Sequence, residues 1–179
     1  MKKSNKKLNK KGFTLIELLA VIVILAVILA VTIPSVLNSM SKARENSLQN
    51  AADSVADWFA KNYELDAIGT YGGGADAAYT TFVKENSAKT LISGTGEGTD
   101  ENQVTPWTLT TDVLTAAGIS NADTNIEFSK TIDNNTTNLS TVYYNTTKNR
   151  VCVVLQAKEG GSFYNNKDKN ANTKSSSGC

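Results

Sequence analysis

The sequence has no histidine and only two cysteines. Without imidazole there is no Ser-His-Asp or Cys-His catalysis and no His-ligated metal site. Cys152 and Cys179 are too few for a Cys-only zinc site and too far apart for a C-x-x-C redox motif. Acid is missing from one segment in particular. Residues 1–12 hold six lysines (Lys2, Lys3, Lys6, Lys7, Lys10 and Lys11) and no Asp or Glu. Setting those six aside leaves 12 basic side chains against 17 acidic ones, so the formal net charge of +1 becomes −5. The remainder is acidic and lacks the basic stripe of a nucleic-acid-binding domain, so no specific nucleic-acid site is expected. No cofactor or metal is expected either. A length of 179 residues suits one domain of about 100–150 residues plus an extra element.

What is present begins after the basic leader. Phe13 to Ile33 is a run of 21 residues in which Glu17 is the only charge. As a helix it is roughly 31 Å long, close to the roughly 30 Å hydrocarbon core of a bilayer. The lysines place the leader on the cytoplasmic side and everything after Ile33 outside. A conventional secretory signal fits poorly, because the apolar run exceeds the usual length and no A-x-A site follows. A plain anchor explains the length but not Glu17, a carboxylate that costs free energy in lipid unless it reaches the interface.

The junction reads Lys10-Lys11-Gly12-Phe13-Thr14-Leu15-Ile16-Glu17-Leu18. It resembles the type IV pilin family, whose prepilins carry a short basic leader ending in Gly, then Phe, then Glu at the fifth mature position. Pro34 falls where pilins carry a helix-kinking proline. The resemblance covers about the first fifty residues. It implies a membrane prepilin peptidase that cuts between Gly12 and Phe13 and methylates the new Phe13 amine. Glycine has no Cβ to obstruct the approach of the scissile backbone to that enzyme. It further implies that Glu17 pairs with the Phe13 ammonium of a neighbouring subunit and so sets register. An opposite charge relieves the cost of a carboxylate in an apolar core. The other partners implied are further copies of the chain in a helical homopolymer, a pilus assembly platform with its ATPases, and the membrane before assembly.

Beyond Pro34 the pattern becomes amphipathic. Val36, Leu37, Met40, Ala43, Leu48, Ala51, Val55, Phe59 and Tyr63 recur at three- and four-residue steps, with charges largely between them. One helix is expected from about Phe13 to Tyr63, with a kink or local melt at Pro34. Trp58, Phe59 and Tyr63 read as core rather than as a ligand stripe. The expected organisation is a removed leader (1–12), a membrane or filament-core half-helix (13–34), an amphipathic half-helix (35–63) and an exported head (64–179). In that head Gly69 and Gly72–Gly74 break the helix, and a short helix is expected over Asp76–Asn86 with Tyr79, Phe82 and Val83 inward. Gly94, Gly96 and Gly98 read as a loop, not a phosphate site, because no strand precedes them. Thr110 or Thr111 caps a small helix over Asp112–Ala117, which Gly118 stops.

Strand signals come late. Ile126 and Phe128 alternate with polar residues, Val142–Tyr144 and Val151–Leu155 flank a turn at Asn145–Arg150, and a third strand is expected around Ser162–Tyr164. Ten of the sixteen residues 134–149 are Asn or Thr. They read as a solvated loop and hairpin whose sequons (Asn134, Asn135, Asn138 and Asn145) arise by composition. The fold class is therefore α+β: a long N-terminal helix, a connecting region and a small antiparallel sheet, the order that a pilin has. Export and the even count make a Cys152–Cys179 disulfide the first reading. Pilins often bracket a C-terminal loop in this way. Two free thiols, or a Cys179 that pairs elsewhere, remain alternatives.

The function expected is that of a structural subunit, a major pilin, held as a single-pass membrane protein and then built into a surface fibre. Adhesion, twitching motility, biofilm formation and DNA uptake are family-level uses among which the sequence does not choose. A pseudopilin of a type II secretion or competence system shares the same junction. An anchored exported enzyme or binding protein is the alternative of another class. It would need an acid–base pair or metal cage after residue 64, and the scattered acids there, Asp100-Glu101 included, provide no such spacing.

Overall fold

The computed structural model describes residues 12–68, 74–85, 107–132, 135–145 and 150–179. The chain divides into two compact units, the first ending at Met40 and the second comprising Ser41–Cys179. The division falls within the first helix, α1, Leu15–Ile68, which carries Pro34 in its interior. Backbone at Pro34 remains helical, so the local melt expected there does not occur.

Within the first unit the helix is apolar on all sides, and its large side chains are half exposed or more, from Leu15 to Met40. Val36, Leu37 and Met40 are among them. The amphipathic pattern begins to bury side chains only at Leu48, and Ala43 and Tyr63 are also exposed.

In the second unit Leu48, Ala51, Ala52, Val55, Ala56 and Phe59 form the buried stripe of α1. Their three- and four-residue spacing is what one face of a helix requires. Helix α2, Ala77–Glu85, adds buried Tyr79 and Phe82, with Val83 packed against the same core. Asp76 starts it: its Oδ1 accepts from Ala78 N (2.7 Å) and its own N–H donates to Asn62 Oδ1 of α1 (2.7 Å). Helix α3, Thr111–Ala116, is capped by Thr110, whose hydroxyl accepts from Val113 N. It ends at Gly118, whose φ of 93° is a left-handed value suited to glycine. Helix α4 is a single turn, Ala122–Asn125.

A four-stranded antiparallel sheet has the order β1 (Trp107–Thr108), β4 (Thr141–Asn145), β5 (Arg150–Gln156), β6 (Thr173–Ser175). The β4–β5 hairpin pairs Tyr143 with Cys152 and closes with Asn145 opposite Arg150. Val151, Val153 and Leu155 alternate along β5 and join the core. Edge-to-face rings carry the packing from Phe59 to Phe82 (centroids 5.6 Å) and from Phe82 to Trp107 (5.5 Å). The Trp107 indole N–H is buried with no acceptor among the described residues.

Three expectations are corrected. Ser162–Tyr164 is a turn, not a strand: Gly160 has φ 82° and the Asn125 carboxamide accepts from both Ser162 N and Oγ (2.9 Å each). The outer strand is instead β6, a polar triplet. Ile126 forms one isolated bridge to Ala157 rather than a strand. Residues read as a solvated loop and hairpin contain, besides β4, a further strand β3 (Asn135–Asn138), paired with β2 (Ser129–Ile132) in a separate two-stranded sheet. The Gly94–Gly98 loop lies outside the described residues, as do Gly69, Gly72 and Gly73.

Candidate functional site

Gly12, Phe13 and Glu17 lie together at the start of α1. Gly12 is exposed, and a Cβ added to it would meet nothing within 4 Å among the described residues. The chain's own packing therefore does not demand glycine there. Phe13 is 91% exposed.

Glu17 is held locally by a reciprocal cap. Thr14 N and Thr14 Oγ1 both donate to Glu17 Oε2 (2.8 Å each), and Glu17 N donates to Thr14 Oγ1 (3.4 Å). This Thr-x-x-Glu arrangement satisfies orphan donors of the first helical turn. Glu17 Oε1 has no partner among the described residues, so one carboxylate oxygen caps the helix while the other stays open. Sequence reasoning singled out Glu17 and passed over Thr14, although the T-x-x-E spacing was the available signal.

The helix that follows is long and apolar enough to cross a membrane. Leu18, Leu19, Val21, Ile22, Val23 and Ile24 lie on every side of it, and each is more than half exposed. A helix apolar all round is one that other apolar matter covers, a bilayer or other helices.

In the second unit Cys152 and Cys179 are disulfide-bonded, with Cα atoms 4.6 Å apart. The bond is one of several ties on the C-terminal segment. Glu45, Gln49 and Asp53, at four-residue steps on one face of α1, each hold it. Lys174 Nζ pairs with Glu45, Gln49 Nε2 donates to Ser175 O (2.8 Å), and Ser177 N donates to Asp53 Oδ1 (2.7 Å). On the sheet side Ser176 N donates to Val153 O (2.8 Å) and Ser176 Oγ accepts from Val153 N (3.0 Å). Gly178 lies so close to β5 that a Cβ would run into the Val151 carbonyl. Apart from the two cysteines, none of these contacts was legible in the sequence: the ties to α1 join polar residues about 125 positions apart, and those to β5 run through backbone groups.

Among the described residues Tyr79 has a strongly displaced pKa. Burial first, then the charges of Asp66 and Tyr63, push its phenol up to about 12.

Residues 7–33 match the family model described as the prokaryotic N-terminal methylation motif. Neither curated proteins nor solved structures give a match. The chain thus carries, at the head of a long apolar helix, the N-terminal methylation motif that is the signal of type IV prepilins.

Proposed function

We propose that the protein is the structural subunit, a major pilin, of a type IV pilus. The observation that carries this reading is the junction itself: Gly12 and Phe13 exposed, Glu17 capping the first turn, and an all-round apolar helix immediately beyond. A Cβ at Gly12 would meet nothing within 4 Å among the described residues, which fits a residue chosen for a processing enzyme. A prepilin peptidase cuts before Phe13 and methylates its amine, and the subunit then waits in the membrane through α1.

Assembly exchanges one apolar environment for another. Each Leu, Ile or Val side chain gains about 1.5–3 kcal/mol on leaving water, whether lipid or neighbouring helices cover it. Extraction by the assembly platform and its ATPases therefore does not expose the helix to a large net loss. Glu17 supplies direction: its open oxygen takes the Phe13 ammonium of the neighbour, which a misplaced subunit cannot supply. The folded second unit, fastened by the Cys152–Cys179 bond, forms the outer layer of the fibre.

Electron microscopy of sheared surface material, with antibody against the second unit, tests the reading. Labelled fibres support it. Labelled subunit confined to the membrane fraction, with unlabelled or absent fibres, replaces it with a pseudopilin or a minor subunit.

A further inference from the structure

Strand β3, Asn135–Asn138, is exposed at all four residues, and among the described residues its sheet has one other member, β2. A two-stranded hairpin with little apolar cover is marginal in water, and a further strand stabilises it. The ladder locates the edge where that strand would add. Leu139 N donates to Phe128 O (2.9 Å), which makes the adjoining pair Ser129–Asn138 a non-hydrogen-bonded one. Alternation makes Thr131–Thr136 the next pair of that type, and their hydroxyls lie 2.9 Å apart, as its close approach allows. The backbone N–H and C=O groups of Thr136 and Asn138 therefore point away from β2. None of them has a partner among the described residues.

This edge lacks the guards that strand edges usually carry, which are charge, proline, a bulge or brevity. β1 is two residues long, and β6 carries Lys174, paired with Glu45. β3 is four residues, Asn-Thr-Thr-Asn, without charge or proline, and it pairs with β2 residue for residue.

Such an edge accepts an extended strand, and an uncharged one can accept its own copy. Across a two-fold axis every residue meets the same chain, so a charge near the axis would repel itself. With the axis at Thr137, Thr136 meets Asn138 of the second copy and Asn138 meets its Thr136. In this register both outward residues of each strand exchange their N–H···O bonds, and the two Thr137 residues sit opposite each other as a non-hydrogen-bonded pair. The two hairpins become one four-stranded sheet. Lys130, opposite Thr137 on β2, then lies three strand spacings from its counterpart, about 14 Å and beyond the screening length at physiological salt.

Symmetry decides where this contact falls. Neighbours in a polar helical polymer are related by rotation about, and translation along, one axis. An edge in the outer layer therefore never meets itself within a fibre, and an isologous contact joins subunits of two different fibres. Each fibre repeats the edge at every subunit, so pairs that are weak singly hold in number. Resting on the pilin reading, we infer that β3 pairs edge to edge with β3 of a second copy and binds pili side by side into bundles.

Sheared fibres from cells making the full chain test this, labelled with monovalent antibody fragments against the second unit and viewed by electron microscopy. Wild-type fibres should lie in bundles. Thr136→Pro removes an outward N–H and spares the ladder to β2, and Thr137→Lys sets like charges against each other at the axis. Each should lower the bundled fraction by about tenfold or more, with sheared yield and disulfide-bonded subunit unchanged. Thr137→Lys fibres mixed with Thr137→Glu fibres should bundle again. Thr137→Cys should form a disulfide between two copies in fibres, and Lys130→Cys should not. Single wild-type fibres, bundles that both substitutions leave intact, no recovery on mixing, no Thr137→Cys cross-link or one to a different protein would overturn the inference and leave the pilin reading standing. Wild-type cells without labelled fibres would overturn both.

Discussion

One oxygen of Glu17, Oε2, accepts from both the N–H and the hydroxyl of Thr14 at 2.8 Å, while its other oxygen has no partner among the described residues. The capping role of this carboxylate and the pairing role proposed for it can therefore be separated. Glutamine can serve in a capping box but cannot neutralise an ammonium. Glu17→Gln should leave cleavage at Gly12 intact and remove fibres, read by subunit processing and by sheared yield. Thr14→Val, which loses the hydroxyl, should weaken the cap by about 1 kcal/mol and reduce fibre yield partially, with Thr14→Ser restoring it.

Loss of the Cys152–Cys179 bond should be costly. The cysteines are 27 positions apart, and a loop of that size is worth about 3–4 kcal/mol in the chain-entropy model. The double variant Cys152→Ser, Cys179→Ser should melt roughly 10 °C lower in detergent by circular dichroism. An unchanged midpoint would mean that the ties from Glu45, Gln49 and Asp53 suffice alone.

Those ties should be unequal. Lys174–Glu45 is partly exposed, so Glu45→Gln should cost no more than about 1 kcal/mol, and less in high salt. Asp53 accepts from both Ser177 N and Gln49 Nε2, and Asp53→Ala should cost about 1.5–3 kcal/mol, the usual worth of hydrogen bonds to a charged group. Limited proteolysis of the C-terminal segment distinguishes the two variants.

Two glycines should fail for different reasons. Gly178→Ala drives a methyl group against the Val151 carbonyl and should cost about 1–3 kcal/mol as overpacking. At Gly118 there is open space around a Cβ but a φ of +93°. Gly118→Ala should cost about 1 kcal/mol as backbone strain alone. Chemical denaturation of the two variants gives the comparison.

Tyr79 makes stability fall at alkaline pH. Its folded pKa of about 12 lies above the ordinary phenol value of 10.0, so the neutral phenol is the form that the fold favours. The contribution is complete below pH 10 and is lost as pH rises towards 12. Tyrosinate absorbance should show one of the six tyrosines ionising late, and Tyr79→Phe should remove that late step.

Much of this architecture was written locally in the chain. The apolar run and the Leu48–Phe59 stripe located α1, Thr110 and Gly118 marked both ends of α3, and the alternation at Val151, Val153 and Leu155 marked β5. These signals depend on neighbours within a few residues. The elements that escaped do not. β6 is Thr-Lys-Ser, polar throughout, and exists because β5 and the Glu45–Asp53 face of α1 hold it from either side. Strand β3 is Asn-Thr-Thr-Asn and exposed, with no apolar alternation to announce it. Val36, Leu37 and Met40 kept helical spacing but belong to the first unit and are about half exposed, so the pattern did not mark burial there. At the junction, Gly12, Phe13 and Glu17 were legible by type and spacing, whereas the capping of the first turn by Glu17 Oε2 was not read from the sequence.

The most direct test of the account is the N-terminus of this protein in fibres sheared from the cell surface, determined by mass spectrometry. The account predicts a chain that begins at Phe13 with a methylated amine. An intact lysine-rich leader, or a cut near Thr32 beyond the apolar run, would contradict it.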